Sequence, residues 1–288
     1  MRRFIRKILP LILVIPPVLI SCGTLKDYSD PLGPFYSGSF AGTVPSAGDT
    51  FRVVSYNVKF GKNLEQAIAD LRAVFGNRRA DIILLQEMHG DGVKAVADSF
   101  DCHYIYYPAS VHRMHERDFG NAIVSRWPIE DERKILLPFR RPFGEQQRIA
   151  VGGTVVAGGM RIRVYSVHTE TPLMKYEDRL AQAGSVLEGI SRKYSHVIVG
   201  GDFNSPFRRN IRDIEDMFLK SGFVRASKGT GWTARQFPFG LIKLELDHLF
   251  TSGFAVVRSG KHGEAEASDH VPVWTVLAAG RTKRGPGE

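Results

Sequence analysis

Short apolar runs and amphipathic stretches alternate along the chain after residue 50. The runs at 51–58, 81–87 and 196–201 are too short for core helices and stop at polar residues, which is typical of buried strands. Residues 64–75 and 175–194 repeat apolar side chains every three or four positions, which predicts helices. The same patterns predict helices near 92–99 and 211–221, a hairpin through Gly158–Gly159 within 148–170, and strands at 102–107, 120–129, 246–250, 254–259 and 271–278.

Strands outnumber helices in this pattern, and hairpin-like turns join several neighbouring strands. This combination favours mixed β-sheets with helices packed on their outer faces over a purely parallel sheet. The chain has 288 residues, of which 43% are hydrophobic and 24% are charged, and this composition is that of an ordinary globular protein. We expect one domain over residues 51–279 and a disordered basic tail at 280–288.

The N-terminus has the pattern of a secretory signal. Four positive charges without an acid precede an apolar stretch from Ile8 to Ile20, which is too short for a comfortable transmembrane helix. The stretch closes with LISCG, which resembles a bacterial lipoprotein signal. This resemblance implies a signal peptide at 1–21 and a lipid on Cys22, and a plain signal peptide with a chance cysteine is the alternative. Lipidation predicts a cell-envelope protein, anchored to the periplasmic side of the outer membrane in a two-membrane organism.

Residues 22–50 are rich in Gly, Pro and Ser and show no period, so we expect a flexible tether there. The formal net charge is +9, and removal of the four positive charges within 1–21 leaves about +5, which weakly favours phosphate-bearing substrates or anionic lipid surfaces. The second cysteine, Cys102, has no intrachain partner if Cys22 carries lipid. We expect Cys102 to be a small buried core residue rather than a reactive thiol.

Polar side chains that can bind a metal ion or a phosphate follow the central predicted strands. Each has an ordinary structural explanation when taken alone, such as capping a turn. Taken together they favour a common site, because the ends of neighbouring strands converge on one edge of a sheet. The positions are Asn57, Glu87, His168, Asp202, Asn204, Asp247, His248 and His270.

Seven motifs occur in order between residues 51 and 278, namely SYNV, LLQE, GNAIVSR, VHTE, GGDFN, LDHLF and SDHVPV. In these motifs the chain resembles the endonuclease/exonuclease/phosphatase superfamily, which includes deoxyribonucleases, apurinic endonucleases and neutral sphingomyelinases. The resemblance implies an α/β fold, a four-layer sandwich of two mixed β-sheets flanked by α-helices. It also implies metal-assisted hydrolysis of a phosphate ester.

The resemblance implies a metal centre at two of these positions and at Asp269. Glu87 would bind Mg²⁺ (or Mn²⁺), with support from Asn57 and an additional carboxylate from Asp269. The metal would neutralise the phosphate and the leaving oxygen. Whether one metal ion or two bind stays open.

The resemblance also assigns the proton transfers. Asp202 or His270 would accept the proton of the attacking water, and the choice between them stays open. Asn204 would donate to the phosphate, and Asp247 would orient His270 and stabilise its charged form. His168 would donate to a phosphate oxygen or assist the leaving group.

Other polar residues near the motifs have two explanations each. Arg148 either clamps a phosphate oxygen or is an ordinary surface arginine. Glu116 or Asp118 would orient His168, whereas His248 is expected to pack rather than react. Tyr106 and Tyr107 are loose candidates for the tyrosine that some nucleases place near the phosphate.

We therefore expect a divalent-metal-dependent phosphodiesterase, nuclease-like and monomeric, that acts on nucleic acid or a phospholipid head group. A sphingomyelinase- or phospholipase C-like enzyme is the alternative, and an inactive envelope binding module is less favoured because no site residue is missing. The chain lacks the G-x-S-x-G and H-E-x-x-H motifs of serine hydrolases and zinc proteases. We expect the loops at 108–119 and 237–242 to set substrate specificity.

Overall fold

A computed structural model of the chain describes residues 24–140, 146–191, 193–236 and 240–279. The expected signal peptide at 1–21, the lipidation candidate Cys22, the expected tail at 280–288 and part of the 237–242 loop lie outside the described residues. None of the helices in this part of the chain is long and apolar enough to cross a membrane.

The first sheet contains eight strands. They are β1 (Thr24–Asp27), β2 (Tyr36–Ser39), β3 (Thr50–Asn57), β4 (Ile82–Met88), β5 (His103–His112), β6 (Arg117–Ser125), β15 (Phe254–Lys261) and β16 (Val273–Ala279). Their order across the sheet is β1-β5-β6-β4-β3-β16-β15, and β2 also pairs with β5. The β3–β4 pair is parallel, and the other pairs between these strands are antiparallel.

The second sheet contains six strands in the order β11-β14-β10-β9-β8-β7, of which β9 and β10 run parallel. These strands are β7 (Ile129–Leu136), β8 (Ile149–Ala157), β9 (Met160–His168), β10 (His196–Asp202), β11 (Val224–Arg225) and β14 (Asp247–Ser252). A separate small hairpin joins β12 (Ala234–Gln236) to β13 (Ile242–Leu244). The helices are α1 (Leu64–Ala73), α2 (Gly90–Ser99), α3 (Tyr176–Glu188) and α4 (Arg208–Lys220), and a 3₁₀ turn covers Lys59–Gly61.

Alternate side chains of β4 enter two different cores, which explains its continuous apolar run. Ile82 belongs to the core between the two sheets, together with Leu249 of the second sheet. Ile83 belongs to the outer core that includes Leu71 of α1. On the far side, Phe218 of α4 packs in a third apolar cluster against the second sheet. The predicted four-layer sandwich is therefore confirmed.

The predicted helices are present, whereas the pattern misses strand β7. Its sequence IEDERKIL is mostly charged because β7 is an edge strand that pairs with β8 alone among the described strands. The segment 108–119, expected to be a loop, is instead the end of a hairpin, since β5 continues to His112 and β6 begins at Arg117. Cys102 is buried and free as expected, and burial raises the pKa of its thiol to about 12.

The structure corrects the flexible tether expected over 22–50, because residues 24–50 belong to the folded domain. Strands β1 and β2 both pair with β5, with Thr24 opposite His112 and Tyr36 opposite Tyr106. The Nζ of Lys134 also donates to the backbone oxygen of residue 28 at 3.0 Å. The Gly, Pro and Ser content misled the prediction, since short edge strands need little apolar pattern of their own.

Candidate active site

The register of the second sheet brings three of the predicted residues side by side. Asp202, at the end of β10, pairs with His168 at the end of β9 and with Asp247 at the start of β14. All three residues are at most 2% exposed. Because paired residues on adjacent strands point to the same face, the sheet itself aligns the imidazole and the two carboxylates.

The first sheet contributes Asn57 and Glu87 from the ends of its parallel pair. A register shift in β4 between Leu85 and Met88 marks a bulge, and Glu87 within it has a φ of 56°. Such a left-handed conformation is uncommon for a residue other than glycine and re-aims the side chain. The Nδ2 of Asn57 then donates to Oε1 of Glu87 at 3.2 Å and to Oδ2 of Asp202 at 3.1 Å, so one amide holds the two carboxylates together.

Glycines before Asp202 allow close packing around the end of β10. A Cβ at Gly201 would lie 1.8 Å from the backbone oxygen of Val167, and one at Gly200 would lie 2.5 Å from Leu249 and 2.7 Å from Leu84. These contacts involve β9 and the core between the sheets. The glycines are thus required by packing that positions Asp202, rather than by the close approach of a substrate.

Asp202 and Asn204 form a tight polar turn. The backbone N–H of Asn204 donates to Oδ1 of Asp202 at 2.9 Å, and Asn204 has a φ of 45°. Its side-chain amide donates to the backbone oxygen of Thr169 at 3.0 Å, and Nη1 of Arg179 donates to the backbone oxygen of Asn204 at 2.5 Å. Arg179, which the motifs did not indicate, stabilises this left-handed conformation from α3.

His270 and Asp247 form a hydrogen-bonded pair, as the resemblance implied. Nδ1 of His270 lies 2.8 Å from Oδ2 of Asp247, and its Nε2 lies 3.8 Å from Oδ2 of Asp202. Thr233 also donates to Oδ2 of Asp247 at 2.7 Å, while its hydroxyl oxygen accepts the backbone N–H groups of residues 246 and 247. Thr233 lies in no recognised motif, so sequence reasoning missed this support.

Burial and mutual charge set the protonation of this pair. Burial raises the pKa of Asp202 to about 7, and the neighbouring His270 opposes the rise. Burial lowers the pKa of His270, but the carboxylates of Asp247 and Asp202 outweigh it and raise the pKa to about 10. At neutral pH, therefore, His270 holds a proton and Asp202 lies close to its own titration.

His168 lies against a buried ion pair on the other side of Asp202. Its Nε2 is 3.6 Å from Oδ2 of Asp202 and 3.9 Å from Oε1 of Glu87. Nη1 of Arg148 lies 3.0 Å from the same ring nitrogen, while Nε and Nη2 each donate to Glu170 at 3.3 Å. Burial and then the charge of Arg148 hold the pKa of His168 well below its ordinary value, so this imidazole is neutral.

Arg148 is not the surface arginine that was one of the two interpretations of the sequence, because it is 6% exposed. Two of its guanidinium nitrogens bind Glu170, and its role as a phosphate clamp stays a prediction. Glu170 is the last residue of VHTE, and sequence reasoning assigned it no role. Its backbone N–H donates to Gln182 of α3 at 2.8 Å, which anchors the ion pair to the helix layer.

The last predicted residue, Asp269, faces a lysine that sequence reasoning also missed. Nζ of Lys59 lies 3.0 Å from Oδ2 of Asp269. Lys59 stands in the 3₁₀ turn after β3, where Lys59 and Phe60 have φ values of 46° and 63°. A cleft of about 270 Å³ opens onto the site. Its lining includes Lys59, Phe60, Glu87, His168, Thr171, Pro172, Asp202, Asn204, Gln236, Leu244, Leu246, Asp269 and His270.

Some candidates have contacts elsewhere. Asp118 accepts a hydrogen bond from the hydroxyl of Tyr28 at 2.9 Å. Tyr106 donates to the backbone of Met88 at 2.9 Å and, like Tyr107, is buried. His248 is fully buried, with Nε2 2.8 Å from the hydroxyl of Ser205, which agrees with the expected packing role.

The model of the Endonuclease/Exonuclease/phosphatase family matches residues 54–270, a span that contains every strand-end residue of the cleft. The chain belongs to this family. Members of the family are phosphoester hydrolases, so the protein is a phosphoester hydrolase with the predicted fold. No curated protein matched the chain.

Solved structures similar to this family member share its fold at low sequence identity. A family protein from Leptotrichia buccalis has a TM-score of 0.62 and 19% identity, covering 78% of this chain and 98% of its own. A mannosyl-6-phosphatase from Bacteroides thetaiotaomicron has a TM-score of 0.60 and 20% identity, covering 79% and 99%. D. rerio TDP2, complexed with a single-strand DNA product, has a TM-score of 0.62 and 14% identity, covering 80% and 99%.

Proteins of this family typically use a divalent metal, and the cleft contains donors that suit one. Asp202, Asp247 and His270 each offer one ligand atom, and these atoms lie within 4.8 Å of one another. Nδ1 of His270 and Oδ2 of Asp247 already share a 2.8 Å hydrogen bond. Glu87 and Asp269 offer carboxylate oxygens in the same cleft, and hard cations prefer such oxygens. Burial raises the pKa of Glu87, so a cation beside it would relieve the cost of its charge.

Proposed function

We propose that the protein is a divalent-metal-dependent phosphodiesterase of the cell envelope. The observation that carries the proposal is the arrangement around Asp202, whose Oδ2 lies 3.6 Å from a neutral His168 and 3.8 Å from a charged His270. A carboxylate with a pKa of about 7 between two imidazoles can accept a proton at neutral pH while a neighbour donates one.

Mg²⁺ or Mn²⁺ is the proposed cofactor, held by Glu87 and Asp269. The metal supplies positive charge for the phosphate and the leaving oxygen. In the structure the amide nitrogen of Asn57 faces the carboxylates, and its oxygen accepts the backbone N–H of Lys59 at 3.1 Å. Asn57 therefore positions Glu87 and Asp202, and direct ligation by its oxygen stays a prediction.

Asp202 is the proposed general base. The oxygen of a water molecule attacks phosphorus, Asp202 takes the proton from that water, and the bond from phosphorus to the leaving oxygen breaks. The imidazolium of His270 gives its proton to that oxygen, and Asp247 stabilises the charged ring until the transfer. This assignment chooses Asp202 over His270 because the raised pKa of His270 keeps it protonated near neutral pH.

His168 and Lys59 bind the phosphate in this proposal. His168 is neutral and lies beside Asp202, so a ring N–H can donate to a phosphate oxygen without competing for the proton in transfer. Lys59 is partly exposed in the cleft and can reach from Asp269 to an anionic oxygen. Arg148 acts through its contact with His168, as a positioning residue.

Hydrolysis of bis-p-nitrophenyl phosphate by the purified protein tests the proposal. Mg²⁺ or Mn²⁺ should support turnover, and EDTA should abolish it. His270→Gln should lose activity, whereas Asp91→Asn, which changes a side chain that is 92% exposed, serves as a matched control and should not. Turnover that resists both EDTA and His270→Gln would refute the assignment.

A lipid phosphodiesterase is the second candidate, and exposed apolar residues at the cleft mouth favour it. Leu173 is 61% exposed next to the cleft residue Pro172, and Leu241 is 74% exposed at the start of the hairpin strand that ends in Leu244. Such residues can contact acyl chains around a head group. Side-by-side assays on plasmid DNA, RNA, sphingomyelin, phosphatidylcholine and inositol phosphates distinguish it from a nuclease.

A further inference from the structure

Strand β1 leaves almost no chain between a lipid on Cys22 and the folded domain. Thr24 is already paired with His112, and the backbone of Tyr28 donates to Ala109 at 2.9 Å. Residue 23 alone separates Cys22 from Thr24. At about 3.5 Å per residue, this spacing spans about 7 Å at most, so the domain cannot swing freely on its anchor.

The anchored end of the domain is also the end that carries the cleft. The ring of His112, opposite Thr24, lies 4.5 Å from the ring of Phe60, and Phe60 lines the cleft. Phe119 continues this contact inward, with its ring 5.9 Å from that of His168. The opposite end of β5 is far away, because its ten residues at about 3.3 Å each span about 33 Å.

Large apolar side chains are exposed on the segments around the cleft. Leu173 follows the cleft residues Thr171 and Pro172, and Phe207 follows the turn of Asn204. Leu241 and Ile242 lead into the hairpin strand that reaches Leu244. We use the name cleft rim for five exposed residues, namely these four and Met114 at the tip of the β5–β6 hairpin. Their exposed fractions are 61% for Leu173, 66% for Phe207, 74% for Leu241, 49% for Ile242 and 59% for Met114.

Positive charge accompanies these apolar residues. Lys62, Arg113 and Arg117 are exposed on the two segments that pack around Phe60 and His112. Apolar side chains mixed with lysine and arginine are what a protein needs to sit in the interface of an anionic bilayer. A nucleic acid would use the same cations but would gain little from the exposed aliphatic side chains of Leu173, Leu241 and Ile242.

We propose that the cleft rim is a membrane-docking surface, so that the lipid on Cys22 and the rim hold the active site against a phospholipid bilayer. This inference rests on the lipidation and activity proposed above. It deepens them, because a cleft facing the bilayer meets phosphate esters displayed at that surface before soluble ones.

Depth-dependent quenching tests the orientation in the full-length protein. Variants with one added cysteine, Met114→Cys and Leu241→Cys, label the rim, and Asp101→Cys labels the opposite end of β5. Cys102 is buried, so the labelled wild type reports its background. In phosphatidylethanolamine–phosphatidylglycerol vesicles that contain a head-group-quencher lipid, both rim labels should be quenched, and the label at position 101 should keep its emission.

Charge substitutions at the rim supply a second readout. Leu173→Glu with Leu241→Glu should restore the emission of the label at position 114, because charged side chains leave the interface. Leu219→Glu is the matched control, since Leu219 is 59% exposed near the far end of α4, and the quenching should persist in it. Equal emission from labels 101 and 114 in the unsubstituted protein would overturn the inference.

Two further measurements distinguish a failure of the docking surface from a failure of the proposed lipidation or activity. Mass spectrometry of the N-terminal peptide reports the lipid, and an unmodified Cys22 overturns both the proposed location and this inference. Hydrolysis of bis-p-nitrophenyl phosphate by the same samples reports the proposed chemistry. An acylated, active protein whose rim labels are not quenched overturns only the docking surface.

Discussion

Strand β4 has a carboxylate at each end, buried in Asp81 and half-buried in Glu87, and the two carboxylates have opposite surroundings. Asp81, just before β4, is 2% exposed and accepts hydrogen bonds at 2.8 to 2.9 Å from the backbone N–H, Nε and Nη2 of Arg52 and from Nη1 of Arg126. Glu87, at the other end, accepts a 3.2 Å bond from the neutral amide of Asn57. One carboxylate is neutralised by two arginines, whereas the other is not.

The cations near Glu87 are bound to other acids. Lys59 pairs with Asp269, Arg148 with Glu170, and His270 with Asp247. Among the described residues of the cleft, the acids therefore outnumber the positive groups. A structural carboxylate is stabilised from within the chain, while a functional one leaves charge for a ligand to neutralise. The comparison predicts that substitution of Asp81 lowers stability more than activity, whereas substitution of a cleft acid, Glu87 or Asp202, lowers metal binding or activity more than stability.

The largest expected effect is the loss of activity in Asp202→Asn. Removing a general base costs about 10²- to 10⁴-fold in rate, so kcat for bis-p-nitrophenyl phosphate should fall by about a thousandfold. Asp81→Asn is the matched control, and its kcat should stay within about twofold because Asp81 does not contact the cleft. Equal losses in both variants would contradict the comparison.

A smaller effect is expected on metal binding. Glu87→Gln should weaken Mg²⁺ binding by more than about tenfold, the lower limit typical of even an outer partner of a metal site. Titration calorimetry of Mg²⁺ into the wild type and the variant measures this loss directly. Asp81→Asn should bind Mg²⁺ as the wild type does, and unchanged binding by Glu87→Gln would remove Glu87 from the metal site.

For the free energy of unfolding we expect the larger loss in Asp81→Asn and the smaller one in Asp202→Asn. Asp81→Asn leaves Arg52 and Arg126 without their charged acceptor, and because both arginines are partly exposed we expect a loss of about 2 kcal/mol. Asp202→Asn removes one of several crowded acids and should change the free energy of unfolding by less. Urea unfolding at pH 7 without added metal compares the two, and a larger loss in Asp202→Asn would invert our assignment.

The smallest effect is a difference in acid sensitivity between His248, on β14 opposite Gly201 of β10, and His196 at the start of β10. Burial lowers the pKa of His248 to about 3 from an ordinary 6.5, and burial also lowers the pKa of His196. Between pH 6.5 and 3 the unfolded chain binds a proton that folded His248 does not, so stability falls as the pH falls. His248→Gln should flatten this loss more than His196→Gln does, as measured by urea midpoints from pH 7 to 4.

The sequence predicted the residues of the cleft more completely than the residues that hold them in position. Glu87, Asp202 and His270 stand in local motifs, and the end of a buried strand is readable from the apolar run before it. Thr233 and Arg179 support the site through hydrogen bonds to Asp247 and to the Asn204 backbone. They lie in segments without any comparable pattern, so their roles depend on which distant residues the fold brings near.

By itself, the sequence determined the mixed-sheet α/β class and the residues at the strand ends, and the resemblance of its motifs to a known family implied the four-layer sandwich and the reaction class. Apolar periodicity and the residue types at strand ends are local properties, so both can be recognised in the sequence without the tertiary structure. Only the tertiary structure decided that Arg148 is buried against Glu170 and that β1 and β2, within the expected tether, pair with β5. Both depend on contacts between residues far apart in the chain, where pairing energy comes from the partner rather than from the segment's own composition.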